Sequence, residues 1–215
     1  MGDSAAPTAT KKGDASAARI REAALDQFSR LGFERVTMGG IAQAAGVSQA
    51  TLHYHFQDKD QLWRAAVLGL SAVIAQEEEA LAAVARDAPV LARLRMAMRL
   101  FLRISWKHPA LGRIVALEGM AGGERLKWLD ENLSGPRNRL FLALLNEAIA
   151  AGVVRPCPAE LLLVTLQAGA AGVINLAPML REVFGVDPDD EAARAAHEDL
   201  VVDGLLGGVL TGRSG

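Results

Sequence analysis

Residues 36–59 read VTMGGIAQAAGVSQATLHYHFQDK, and this run constrains the fold more than any other. Thr37 and Ser48 stand where a hydroxyl caps a helix N-terminus, and Gly46 stands where a helix ends. Between these signals the apolar residues recur one turn apart, Ile41 with Ala45 and then Leu52 with Phe56. The spacing predicts two short helices joined by a tight turn. The second is too polar on one side to be pure core and too apolar on the other to be a free segment, so it rests on a body while displaying a face. The displayed positions are Gln49, Ala50, Thr51, His53, Tyr54 and His55. An α-helix is about as wide as the major groove of B-DNA, and this mixture of donors, acceptors and a methyl group suits base edges and phosphates. Gln49 fits adenine or a phosphate, Ala50 and the Thr51 methyl fit a thymine methyl, and Tyr54, His53 and Lys59 fit phosphates. Thr37, at the head of the first helix of the pair, joins them as a candidate DNA contact.

The flanks complete a small helical unit. Upstream, Ile20, Ala24, Phe28 and Leu31 recur at helical spacing, with Gly32 placed to end the helix and Phe33 folding back. Downstream, Asp58 and Gln61 have capping-box spacing and open a long helix expected through about residue 85. Residues 1–17, small, polar and without periodicity, read as a mobile arm. The expected domains are therefore this arm, a DNA-binding unit over 18–64, and a larger unit over 65–215.

The chain has 215 residues, 51% hydrophobic and only 5% aromatic, rich in Ala and Leu, with little period-two alternation, so it reads as an all-α protein with a sizeable core. Pro89, His108-Pro109, Gly122-Gly123 and Pro156 to Pro158 punctuate the larger unit into helices, with a bend expected at Gly135-Pro136. Residues 161–180 carry no charge and are long enough to span a bilayer, but Gln167, Asn175 and Pro178 interrupt them, and they read as a buried helix instead of a membrane span. Cys157 is the single cysteine and the start lacks a secretory pattern, which points to a cytoplasmic protein. Net charge is −2. DNA binding must then rest on the placement of a few groups, with a modest dependence on salt.

Phe28, Gly32, Thr37, Ile41-Ala42, Ala45-Gly46-Val47-Ser48, Thr51-Leu52, Tyr54, Phe56, Lys59 and Leu62 stand in an order and spacing that resemble the tetracycline-repressor (TetR/AcrR-like) family of bacterial transcription regulators. The resemblance covers residues 18–64. It implies a homodimer with an N-terminal three-helix, helix-turn-helix DNA-binding domain and a C-terminal helical bundle for ligand sensing and dimerisation. It also implies a repressor released from its double-stranded operator by a small effector. Gly39-Gly40 departs from the family, which often places a polar or basic side chain in that turn, and His53 stands where the family commonly has tyrosine.

The effector implied for such a chain is apolar or amphipathic, and the candidate lining residues are Phe101, Trp106, Met120, Trp128, Phe141 and Asn175. Small residues gather in the last two long helices at Ala168, Gly169 and Gly172 and at Gly204 and Gly208, which suggests close backbone approach and a dimer interface of four helices. His53 and His55 point to nearly opposite sides of their helix, so no metal is expected, and no cofactor motif is present. A helical enzyme or a helical adaptor that does not bind DNA is the alternative. It lacks any nucleophile elbow, phosphate loop or carboxylate pair to support catalysis.

Overall fold

The computed structural model describes residues 9–82 and 88–212, with side chains over 14–75 and 88–212. Among these residues there is no β-strand, only an isolated bridge between Val154 and Leu210. The chain divides into two compact units, Met1–Val73 and Ile74–Gly215.

In the first unit, α1 (Ala9–Leu31), α2 (Met38–Ala44) and α3 (Gln49–His55) pack on one another, and α4 (Lys59–Ala82) carries the chain onward. Residues 9–17, expected as part of the arm, extend α1 instead; their alanines and lysines are good helix formers and no proline or glycine pair interrupts them. The interior is built from Ile20, Ala24, Phe28, Ile41, Leu52, Phe56, Leu62 and Trp63, all buried. Leu31, expected inward, is 43% exposed because α1 ends there. Gly32 and Gly46 take positive φ, 76° and 64°, which lets the chain turn sharply after α1 and α2.

Lys59 fastens this unit from the side. Its Nζ donates to the carbonyls of Phe33 at 2.9 Å, Val36 at 3.1 Å and Glu34 at 3.4 Å, and stands 4.3 Å from the centre of the Phe33 ring. The ammonium thus satisfies the α1–α2 turn, whose carbonyls have no helical partner. The Phe33 ring in turn stacks on Phe28 at 5.7 Å and meets Trp63 edge-on at 6.3 Å.

The second unit is a helical bundle of α5 (Val90–Lys107), α6 (Pro109–Ala121), α7 (Glu124–Leu129), α8 (Gly135–Ala150), α9 (Ala159–Asn175), α10 (Ala177–Phe184) and α11 (Glu191–Asp199). Its core joins Leu94, Met98 and Leu102 of α5 to Leu145 and Ala148 of α8, Leu163 and Leu166 of α9, and Val201, Val202 and Leu206. Between α7 and α8 the backbone passes through a π-helical stretch, Asp130–Ser134. The Gly135 N–H reaches back to the Asp130 carbonyl, and a Cβ on Gly135 would stand 2.3 Å from that oxygen, so glycine permits the widened turn and Pro136 follows it without an N–H to lose. The bend expected at Gly135-Pro136 takes this form.

The uncharged segment 161–180 is not one buried helix. It divides into α9 and α10, bent by 55° at Leu176, and no single helix among the described residues is long and apolar enough to cross a membrane. One side of α9 is buried through Leu162, Leu163, Leu166, Ala170 and Ile174, while the other shows Leu161 and Val164, 67% and 61% exposed. After α11 the chain winds as a π-helix over Leu200–Leu206 and a short 3₁₀ turn over Gly207–Val209.

His197 of α11 is 4% exposed, lies edge-on to Trp106 at 5.5 Å, and has no hydrogen-bond partner among the described residues on either ring nitrogen. Burial pushes its pKa below the ordinary 6.5, opposed only by the nearby Gly169 backbone, which lies outside hydrogen-bonding geometry. The ring is therefore neutral in the folded chain near pH 7. As pH falls through about 6.5 the unfolded chain takes up a proton that the folded chain refuses, so stability is lost toward acid, by at most about 1.4 kcal/mol per pH unit.

Two outcomes are expected. Lys59→Met lowers the free energy of urea unfolding by about 1–3 kcal/mol, because three carbonyls of the α1–α2 turn, two of them part-buried, lose a charged donor; an unchanged unfolding midpoint contradicts this role. His197→Leu gains stability relative to the parent chain as pH drops from about 7.5 to about 5.5. Parallel pH profiles for the two proteins would show that the buried imidazole is not the source of the acid sensitivity.

Candidate nucleic-acid interface

The displayed face of α3 is set by two caps and an inward anchor. Ser48 Oγ accepts from the Thr51 N–H at 3.0 Å and lies 2.8 Å from Thr51 Oγ1, so the Thr51 hydroxyl is tied to the cap. Thr37 Oγ1 accepts from the Gly40 N–H at 3.1 Å and opens α2 in the same way. Leu52 is fully buried and Phe56, 6% exposed, closes α3 with its N–H on the Leu52 carbonyl. With these two side chains held inward, a 7-residue helix has no freedom to roll.

The remaining positions point outward. Gln49, Ala50, His53 and Tyr54 are exposed, Tyr54 to 84%, while Thr51 and His55 are half-buried. The Tyr54 and His55 rings meet edge-on at 5.0 Å. Val47 is half-buried at the turn, where its N–H donates to the Ala42 carbonyl at 3.0 Å. Asp58 Oδ1 accepts from the Gln61 N–H, and Gln61 Oε1 accepts from the Gln57 N–H, both at 2.7 Å, so the box that opens α4 reaches one residue further back than its spacing predicts.

Lys59 is differently engaged from the other candidate DNA contacts. Sequence places it as a phosphate cation, but its ammonium is engaged by the three carbonyls of the α1–α2 turn. Other cations of the unit are also engaged: Arg64 pairs with Asp60 at 2.6 Å, Arg30 with Asp26 at 3.5 Å, and Arg35 Nε donates to the Leu31 carbonyl at 2.9 Å. The face around α3 therefore offers hydroxyl, amide, imidazole and phenol groups more than free positive charge.

The glycine pair of α2 receives two glutamine side chains. Gln27 Nε2 of α1 donates to the Gly40 carbonyl at 3.0 Å, and Gln49 Nε2 lies 2.8 Å from where a Cβ of Gly39 would stand. The glycines depart from the family pattern in sequence, and what fills the space beside them is visible only in the fold.

In the second unit the six candidate lining residues are scattered. Phe101 and Phe141 pack on the core, Trp106 lies between His197 and Arg194, whose guanidinium is 5.4 Å from its ring centre, and Trp128 and Asn175 are half-buried. Met120 is 78% exposed, since α6 ends one residue later. None of the six lines the cleft of about 450 Å³ at the end of the bundle, which Leu91, Arg95, Val153, Asp203 and Leu210 border. Arg95 Nε is buried there without a partner among the described residues, and its guanidinium stands 3.8 Å from Asp203.

Of the small residues expected at a dimer interface, Gly169 faces inward: a Cβ on it would meet Leu205 Cδ1 of the same chain at 2.4 Å. Gly172, Gly204 and Gly208 have open space where a Cβ would be, and Ala168 is exposed. They share their faces with Leu161, Val164, Leu176 and Leu200, all more than half exposed. The signal missed in the sequence is this recurrence at 161, 164, 168 and 172, continued by Leu176 at the cap, a side of α9 whose one charge, Glu160, stands in its first turn.

Comparison with known proteins agrees with this geometry. Residues 20–66 match the model of the bacterial regulatory proteins, tetR family, and residues 90–204 match the tetracyclin repressor-like C-terminal domain. The chain is similar to the HTH-type transcriptional regulator RutR of Escherichia coli (strain K12), 30% identical over 197 residues that cover 89% of this chain and 90% of that protein. It is 54% identical to the HTH-type transcriptional regulatory protein RaaS of Mycobacterium tuberculosis over 48 residues, 22% of each chain. Among solved structures it resembles the ketosteroid transcriptional regulator KstR2 of Mycobacterium tuberculosis, with a TM-score of 0.68 at 18% identity, covering 97% of this chain and all of that one. The recognition helix capped by Ser48, the two matched domains and the full-length relatives identify the chain as a member of the tetR family of bacterial regulatory proteins, a ligand-responsive DNA-binding transcriptional regulator.

Proposed function

We propose that the chain works as a homodimeric repressor in the cytoplasm, gripping a double-stranded operator with two copies of α3 and leaving it when a small apolar or amphipathic effector binds the C-terminal unit. The observation that carries the proposal is the outward face of α3, where Gln49, Ala50, Thr51, His53 and Tyr54 surround a helix whose inward side is fully engaged by Leu52 and Phe56. In this reading Gln49, Ala50 and the Thr51 methyl meet base edges, while Thr37, Tyr54, His53 and His55 position the helix on phosphates. Lys59 acts only by holding the turn beside α2.

The partner is a second copy. The apolar side of α9, with Leu161, Val164, Ala168 and Gly172, and the open glycines Gly204 and Gly208 are covered when the same two helices of another chain lie against them. Two recognition helices about 34–36 Å apart then enter successive major grooves on one side of the duplex. An effector that prefers a dimer of another separation weakens operator binding by its differential affinity for the two states. The cleft bordered by Leu91, Val153, Leu210, Arg95 and Asp203 offers an apolar floor and one charged rim, which suits an amphipathic effector.

Two measurements test this. Purified protein is expected to bind the intergenic duplex beside its own gene, with log K falling against log salt at a slope of about −5 or shallower, because so few cations are unengaged; Tyr54→Ala lowers the affinity roughly tenfold while helix content stays the same. Absence of any salt-dependent complex contradicts the DNA reading. In sedimentation equilibrium the parent chain is expected as a dimer and the double variant Leu161→Glu, Val164→Glu as a monomer that no longer binds the duplex. A dimer that survives both charges places the interface elsewhere.

A further inference from the structure

We infer that Gly39 is a specificity-determining position: by having no side chain it leaves, over the first turn of α2, the space into which Gln49 of the recognition helix turns its carboxamide, so that the two residues together choose the base read at the head of α3. The inference rests on the regulator reading above. A Cβ on Gly39 would stand 2.8 Å from Gln49 Nε2 and 3.9 Å from Gln49 Cδ, and beyond its chain neighbours and its own helix backbone no other atom of the described residues lies within 4 Å of it. The first distance is well inside a van der Waals contact of about 3.5 Å, so the amide and a methyl group cannot share the place.

Backbone conformation does not explain the glycine. Gly39 lies within α2 and is not among the glycines with positive φ. In a helix, glycine is less favourable than alanine by about 1 kcal/mol, a penalty with no local return unless the missing methyl matters. The neighbouring Gly40 has a structural duty: its N–H is held by Thr37, its carbonyl by Gln27, and a Cβ on it would stand 3.2 Å from Thr37 Oγ1 and 3.5 Å from Gln27 Oε1. Gln27 is thereby committed to holding α1 against α2. Gln49, by contrast, is exposed, and its carboxamide makes no hydrogen bond among the described residues, so its N–H donors and its carbonyl are free for a base edge. The carboxamide is the group that pairs with adenine N6 and N7. Directed back across α2 it meets a different base pair from the one it meets when extended straight from α3.

Because the displaced atom is the far end of a flexible side chain, Gly39→Ala redirects the amide with little strain and strengthens α2. The test is a cycle of four proteins, the parent chain, Gly39→Ala, Gln49→Ala and the double variant. Each is titrated against the bound intergenic duplex and against duplexes changed one base pair at a time in both half-sites. The expected result is that Gly39→Ala melts no lower than the parent yet changes discrimination roughly fivefold or more at the base pair that Gln49→Ala also affects. In the Gln49→Ala background the same glycine substitution changes nothing beyond twofold. Three results overturn the inference: unchanged discrimination in Gly39→Ala, an equal effect of Gly39→Ala with and without Gln49, or no loss of discrimination in Gln49→Ala. An equal, base-independent loss would mean that the glycine serves close approach of the backbone to a phosphate. A parent chain that binds no duplex overturns the regulator reading itself, and this inference with it; a parent chain that binds while the cycle is additive overturns this inference alone.

Discussion

The inward anchoring of α3 is the constraint on which everything else rests. A helix of 7 residues cannot hold itself in water, and its stability has to come from the side chains it buries. Leu52 and Phe56 supply that, with Ile20, Phe28 and Ile41 completing the interior. Once those two side chains are fixed, the direction of every other residue on α3 follows from the helical repeat, and the Ser48 cap fixes where the helix begins. The exposed face of α3 is the complement of a small hydrophobic core.

The support for that core is distributed in an unexpected way. In a unit with so little net positive charge, Lys59 is directed at the carbonyls of the α1–α2 turn and not toward a duplex. This agrees with the acid-base pairing of Arg30 and Arg64: the unit uses its cations to hold its own shape. In the proposed reading, affinity for DNA depends on neutral donors, imidazoles and a phenol arranged on a rigid helix, and on the doubling of that surface in a dimer, more than on a broad positive field.

Much of this was legible in the sequence because the front unit is locally consistent. Thr37 and Ser48 cap where hydroxyls before apolar repeats are expected to cap, Gly32 and Gly46 turn where glycine ends a periodic run, and Leu52 and Phe56 point inward one turn apart. What the sequence hid depends on tertiary placement. Lys59 reads as a surface cation until the turn 26 residues earlier is seen beneath it. Residues 161–180 read as buried because they carry no charge, whereas an uncharged helix side is equally required where another copy of the chain lies. Gly169 and Gly172 look alike on paper, yet one is pressed against Leu205 and the other is open. Size and residue type alone do not say which candidate lining residues share a cavity, and Met120 lies at an exposed helix end.

Hydroxyl-radical footprinting of the purified protein on the intergenic duplex beside its gene tests the central claim most directly, since it reads the spacing of the two recognition helices. The account predicts protection on one side of the duplex in two patches whose centres lie about 10–10.5 base pairs apart, related by a twofold axis. A single unpaired patch, patches on opposite sides of the duplex, or the same footprint from a variant whose α3 face has been replaced with alanine at Gln49, Thr51 and Tyr54 would contradict it.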